Sequence, residues 1–488
     1  MKNPAEVDYR RKWHAMAAVG VGVFLATVDG SIINVSLPTL VRSLDTEFAV
    51  VQWVVLGYLL TLTTFMLSIG RIADIVGKKT IYMLGFVVFT VGSALCGLAV
   101  SVYWLIAFRV LQAVGAAMIM ALGAAILTEA FPPEERGKAM GMIGAIVSVG
   151  IVIGPALGGV IIGTLSWRWI FYVNLPVGVL GTILVARNVP DFKPAGQQRF
   201  DYLGALTLCL SLLTLLLGLT FGQQQGFFTP IFGLMIGLWL LLLIIFIRIE
   251  TKVSQPMIDL KLFGNMLFSI NLATGFISFV GLAGVMILMP FYLENILGFK
   301  ITHVGLLMGI VPVMLGVTAP FAGALSDRAG TRRITVIGLA IMLVGFLAAG
   351  TLTQNTSAWG YLIRMSILGL GIGTFISPNN SAIMGSASRR QLGVVSGFMA
   401  VTRTLGQTVG VAVMGAVWAG RTAFYAGARM QSGATLAPPE AQVAALQDTF
   451  HAAAVLLAAA LLLGIWAYVH EYHGKDAAPN HDLGVGPR

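Results

Sequence analysis

Fourteen stretches of about 20 apolar residues recur along this chain, and the short segments between them hold most of its charge. A helix of that length crosses the roughly 30 Å hydrocarbon core of a bilayer. In lipid every backbone N–H and C=O must find a partner inside the chain, so repeated runs of this kind predict an all-α polytopic membrane protein. The expected helices lie at 15–37, 50–70, 80–100, 103–128, 138–163, 168–188, 200–220, 229–248, 267–291, 303–323, 333–352, 358–383, 392–418 and 450–470. Only 10% of residues are charged, where a soluble chain carries about 25%. The first run is long and holds Asp29, so it reads as a retained span and not a cleaved leader. Cys96 and Cys209 fall inside apolar runs and the six histidines are scattered, which predicts neither a disulfide framework nor a metal site.

The basic residues orient the spans. With a cytoplasmic N-terminus, 22 of the 30 Lys and Arg residues fall in inner segments and five in outer ones. Arg109, Arg364 and Arg403 remain inside spans. This bias predicts an inner (plasma) membrane protein with both termini in the cytoplasm. The net charge of +10 is then a product of topology, and no nucleic-acid partner is expected.

The chain also repeats itself. GRIADIVGKK (Gly70–Lys79) joins the second and third spans, and GALSDRAGTRR (Gly323–Arg333) joins the tenth and eleventh. Gly70, Asp74 and Gly77 align with Gly323, Asp327 and Gly330, 253 residues on. Arg109 and Arg364 occupy similar places in the fourth and twelfth spans. The expected organisation is an N-terminal six-helix bundle (1–190), two additional helices with linkers (191–262), five helices of a C-terminal bundle (263–420), an extracellular loop (421–449), and a last helix with a cytoplasmic tail (450–488). Parallel repeats of this kind build transporters whose site lies between the halves.

At these residues the sequence resembles the major facilitator superfamily, and within it the fourteen-helix drug–proton antiporters of the EmrB/QacA type. The resemblance runs from about residue 13 to 470 and rests on DGSIINVSLP (Asp29–Pro38), the loop residues Gly70, Asp74, Gly77, Lys78 and Lys79, RVLQAVG (Arg109–Gly115), GIVIGPALGG (Gly150–Gly159) and WRWIFYVNLPVG (Trp167–Gly178). It implies a major facilitator fold of two six-helix bundles plus two extra helices. The chain departs from the family pattern at Ile75, at Ala113, in carrying lysines at 78 and 79, and in Glu294 where glutamine is common.

Physical arguments attach roles to these positions. An ionised Asp at a helix centre costs about 2.5–3.5 kcal/mol on insertion scales, and such residues face cavities or partners. Counting 1.5 Å per residue from opposite faces places Asp29 and Arg109 at one depth, about 21–22 Å from the inner face, which predicts a proton-coupling pair. Lys78 is expected to pair with Glu129, and with Gly70, Asp74 and Gly77 to form an inner gate. Gly150, Gly154 and Gly158 recur every four residues, so small residues share one helix face beside Pro155, an arrangement suited to close packing; the resemblance makes this run an antiporter feature. Asn34, Trp53, Tyr58, Gln112, Met118, Phe276, Glu294 and Arg403 are expected around a substrate cavity, Arg403 either ordering its helix or meeting substrate.

No phosphate-binding loop of the G-x-x-x-x-G-K-[ST] form is present. Secondary, proton-driven transport is therefore expected over ATP-driven transport, with the proton gradient in place of any cofactor. No clustered catalytic set appears in the spans, so an enzyme is not expected. The expected partners are protons, the bilayer and a lipophilic small molecule, bound by a monomer. The reading is an exporter of lipophilic cations. The alternative is an exporter of an anionic amphiphile, lipid or metabolite, because the arginines inside the spans outnumber Asp29.

Overall fold

The structure is a computed structural model that describes residues 12–132, 135–189, 201–226, 228–253, 263–386, 392–427 and 433–476. Side chains at 67, 68, 71, 74, 75, 136–138, 202, 223, 224, 392–394, 396, 397 and 471–476 are not among those described. All regular structure within these residues is helical. The first half comprises α1 (Lys12–Ser43), α2 (Phe48–Val51), α3 (Trp53–Val76), α4 (Lys78–Gly97), α5 (Val102–Ala130), α6 (Arg136–Thr164), α7 (Trp169–Tyr172) and α8 (Asn174–Asn188). Then come α9 (Tyr202–Gln225) and α10 (Pro230–Lys252). The second half comprises α11 (Met266–Phe291), continued by a π-helical turn at Tyr292–Ile296, then α12 (Ile301–Met308), α13 (Ile310–Ala329), α14 (Thr331–Ala349), α15 (Ala358–Gly385), α16 (Leu392–Tyr425) and α17 (Pro439–Asp476).

Joined end to end where a turn only kinks them, these helices make fourteen rods. Thirteen have the length and apolar character to cross a membrane. The fourteenth, α16, carries Arg403, Gln407 and several threonines within its 34 residues. Helix α17 starts at Pro439, eleven residues before the expected span, so part of the loop expected at 421–449 is helix. Proline suits a helix's first turn, and the EAQVAALQ that follows is rich in helix formers.

The repeat seen in the sequence is a repeat of packing. Helix α4 lies on α5 as α14 lies on α15, α3 on α5 as α13 on α15, and α1 on α6 as α11 on α16. Small residues hold these pairs at backbone distance. A Cβ on Gly92 would meet Gln112 backbone at 2.7 Å, and one on Gly345 would meet Leu368 backbone at 2.7 Å. Gly77 (φ 111°) and Gly330 (φ 90°) make the same left-handed turn between helices, which few residues other than glycine adopt. Ser101 caps α5 by accepting Trp104 N–H, and Ser357 caps α15 by accepting Gly360 N–H. The inserted pair α9–α10 packs on itself and sets α9 against both α3 and α16, one helix from each half.

Candidate functional site

Asp29 lies in the middle of α1, 1% exposed, and three donors converge on its carboxylate. Arg109 on α5 brings Nη1 to 2.6 Å from Oδ2. Gln112, three residues further along α5, donates Nε2 to Oδ1 at 2.8 Å. Asn174, the first residue of α8, donates Nδ2 to the same oxygen at 2.9 Å. Ser93 on α4 accepts from both amides at 3.1 Å and donates to the Phe171 carbonyl. Thus four helices of one half meet at one carboxylate. The acceptor-only pattern is that of an ionised acid.

Arg109 is itself fully buried. Its Nε donates to the Val54 carbonyl at 3.3 Å, its Nη1 also reaches Gln112 Oε1 at 2.8 Å, and the guanidinium lies 4.1 Å from the Tyr58 ring centroid. Nη2 is enclosed without an acceptor. A buried ion pair balances desolvation only when its remaining bonds are satisfied; Gln112, Asn174 and the Tyr58 ring supply all but that of Nη2. Asn174 and Ser93 escaped the sequence reading. The signal for Ser93 was polarity inside an apolar run; Asn174 also stood inside the Trp167–Gly178 motif. Gln112 and Tyr58, expected to line a substrate cavity, belong to this ion-pair site.

The other expected positions separate. Asn34, buried one turn beyond Gly30 on α1, donates to the Gly30 carbonyl at 3.4 Å. Trp53 opens α3 and donates Nε1 to Thr220 of α9, so it braces the inserted pair instead of lining a cavity. Met118 packs against Gly85 in the α4–α5 seam, because α5 turns that face toward its neighbour. Phe276 lies against Gly406 in the α11–α16 seam. Glu294, also expected in the cavity, sits in the π-helical turn at the distal end of its rod, the end away from the chain termini, and pairs with Arg42 at the end of α1. Arg364 mirrors Arg109 in place, six residues into α15 against seven into α5, but not in partner: it bonds Thr351 and the Gly360 carbonyl. Its half has apolar Leu282 and Ala283 and Gly284 where Asp29 falls in the first.

At the proximal end Lys78, starting α4, pairs with Glu129, ending α5, both in the first half. Gly77 supplies the turn just before Lys78 and Gly70 lies in α3. The Asp74 side chain lies outside the described residues. Lys12 forms a second pair there with Glu135.

Contacts between the halves gather toward the distal end. Gly150, Gly154 and Gly158 of α6 face α1 at Thr27, Ser31 and Ile32, and Ser31 Oγ donates to the Gly150 carbonyl at 3.2 Å. The neighbouring face of the same helix crosses to the other half: the Pro155 carbonyl and Gly159 abut Gly305 of α12, and Gly163 abuts Thr302. Phe48 stacks edge-on against Phe291 and Trp418, with centroids 5.2 and 4.9 Å away. Arg42 bonds both Glu294 and Asn295 across the same seam.

Comparisons with known proteins agree with this architecture. The family model described as Major Facilitator Superfamily matches residues 19–411 and again 272–483. The riboflavin transporter RibZ of Clostridioides difficile is 34% identical over 413 residues, covering 84% of this chain and 89% of RibZ. The multidrug transporter protein MdtP of Bacillus subtilis is 32% identical over 424 residues, covering 86% and 78%. Among solved structures, a bacterial homologue of the human lysosomal transporter Spinster, inward-facing and unoccupied, superposes with a TM-score of 0.67 at 18% identity, covering 95% of this chain and 98% of that one.

Proposed function

Because the chain belongs to the Major Facilitator Superfamily, we propose that it is a proton-coupled exporter of lipophilic small molecules, of the fourteen-helix drug–proton antiporter type, working by alternating access in the plasma membrane with both termini in the cytoplasm. The observation that carries this reading is the Asp29–Arg109 pair: a carboxylate buried deep in a span, held by a cation and two amides, in a chain without a phosphate-binding loop. Three of the carboxylate's four lone pairs accept hydrogen bonds, and a proton on the fourth, at Oδ2, removes the charge that holds Arg109. Proton binding is thereby tied to a rearrangement of α1 against α5 and α8. The relatives named as multidrug and riboflavin transporters support the transport of drug-like organic compounds.

In this orientation the distal seal closes the outer side and leaves the substrate path to the cytoplasm. Asp29 ionised and paired with Arg109 is then the state after proton release, ready to load substrate. Direct competition of a lipophilic cation for Asp29 suits the geometry less well, since both carboxylate oxygens are occupied and shielded. The test is flux in everted membrane vesicles under an imposed proton gradient, with ethidium and 8-anilinonaphthalene-1-sulfonate as probes. Uptake of either should collapse with the gradient and with Asp29→Asn. Uptake driven by ATP after the gradient has been dissipated would refute the reading.

A further inference from the structure

The charges inside the spans do not balance. Asp29 neutralises Arg109, and Glu294 neutralises Arg42. Arg364, at the depth of Arg109 in the other half, has two polar partners, Thr351 and the Gly360 carbonyl. Arg403 is left over. It is the twelfth residue of α16, about 16 Å along the helix axis. Among the described residues no hydrogen bond, carboxylate or aromatic ring reaches it.

The surroundings of Arg403 show where its side chain can go. On α16, Thr404, Thr408 and Val411 are buried, and Gly406 and Gly410 lie against Phe276, Phe279 and Val280 of α11. Arg403 and Gln407, one turn apart, lie on the side of α16 that carries Gly406 and Gly410 and are partly exposed there. Beyond them is either hydrocarbon or the space between the halves. A charged side chain at mid-span turns to the bundle interior or a water-filled cavity, because lipid exposure costs about 2.5–3.5 kcal/mol even on insertion scales. Helix α16 borders that space, since it is one of the helices that touch α3 of the opposite half.

We propose that Arg403 is a specificity-determining residue that receives an anionic group, such as a carboxylate, sulfonate or phosphate, on an otherwise lipophilic substrate, with Gln407 as a neighbouring hydrogen-bond donor. The proposal rests on the exporter reading and names its substrate class. A guanidinium offers a fork of donors matched to such groups. A half-buried cation with no internal partner both attracts an anion and repels a lipophilic cation. Among the described residues no acid opposes it: Asp29 is spent on Arg109 and Glu294 on Arg42.

The experiment uses two spherical lipophilic ions of nearly equal size and opposite charge, tetraphenylborate and tetraphenylphosphonium, with binding to the purified full chain in detergent measured by equilibrium dialysis. The wild type should prefer the borate. Arg403→Gln should weaken borate binding about tenfold or more, the order expected when an opposite charge about 5 Å away is lost from a partly desolvated site, while Arg403→Lys keeps most of the preference. Should Arg403→Gln fail to fold, Gln407→Glu decides, because a carboxylate one turn away would occupy Arg403 and must lower borate binding similarly. Equal binding of the two ions by the wild type, or a preference unchanged in these variants, overturns the proposal. Proton release on binding, followed in the same samples with a pH dye, separates the two readings. Borate preference without proton release leaves the anion site standing and removes the proton coupling. Proton release with no charge preference does the reverse.

Discussion

Replacing Asp29 with asparagine strands Arg109, and the consequence can be worked atom by atom. The asparagine amide has one acceptor and two donor hydrogens. If its oxygen keeps the Gln112 and Asn174 bonds, its nitrogen takes the place of Oδ2, 2.6 Å from Arg109 Nη1, and two donors collide. If the amide flips, the oxygen keeps Arg109 and the nitrogen meets the two amide donors instead. Either way a fully buried guanidinium loses its counter-charge, and breaking a buried pair from one side costs about 3–5 kcal/mol. Adding Arg109→Gln removes the stranded charge, so the double variant should be more stable than Asp29→Asn alone, with a coupling of about 1–3 kcal/mol in the double-mutant cycle. Stability is read by thermal unfolding in detergent, and function by proton release on adding tetraphenylborate. The wild type should release protons and Asp29→Asn should release none. If Asp29→Asn releases protons as the wild type does, Asp29 is only a structural partner of Arg109, and Glu294 becomes the next carboxylate to test.

Two further perturbations address the ends of the rods. Lys78→Ala or Glu129→Ala breaks a partly exposed pair within one half, so unfolding should shift by no more than about 1 kcal/mol, and the reversed pair Lys78→Glu with Glu129→Lys should restore the wild-type value; a larger loss would mean the pair holds more than α4 to α5. Arg42→Ala or Glu294→Gln removes a clasp that joins the halves at the distal end. A cysteine at Thr302, which meets Gly163 across the seam, should then react faster with a membrane-impermeant maleimide from the outside, and unchanged labelling would show that the glycine seam holds the seal without the ion pair.

How much of this was legible in the sequence depended on the kind of contact. Apolar run length places rods because the bilayer sets their length, so the number of spans and the doubling of the halves could be read directly. The depth arithmetic brought Asp29 and Arg109 level, since helix rise is a fixed quantity, and the structure places them 2.6 Å apart. It could not tell that Gln112 turns inward to the same carboxylate. That follows from its being one turn beyond Arg109, and a substrate cavity would have accepted it equally well. The Arg109–Arg364 match held for backbone place but not for partner. A repeat preserves backbone positions, whereas the partner of an arginine is set by side chains on neighbouring helices, and the second half offers no acid at the Asp29 position. Glu294 was misplaced because the rod of α11 continues through a π-helical turn to the distal end, where the chain end of α1 supplies Arg42.

The two halves share a backbone plan but divide the charge between them, and this division explains why α6 carries so many small residues. The acid sits in the first half on α1, two and three residues before Ser31 and Ile32, and those residues touch Gly154 and Gly158 of α6. On its adjacent face α6 presents Gly159 and Gly163 to α12, which belongs to the half that holds Arg403. A Cβ at Gly158 would meet Ile32 at 2.7 Å, and one at Gly159 would meet the Ile301 carbonyl at 2.7 Å, so neither seam has slack for a side chain. Packed interfaces of this kind shift between discrete arrangements instead of deforming smoothly. A rearrangement of α1 on protonation of Asp29 therefore presses on a helix that is also part of the distal seal. Under the proposed coupling, α6 gives a glycine-lined route from the helix of the acid to the opposite half, beside the direct contact that α1 makes there through Arg42.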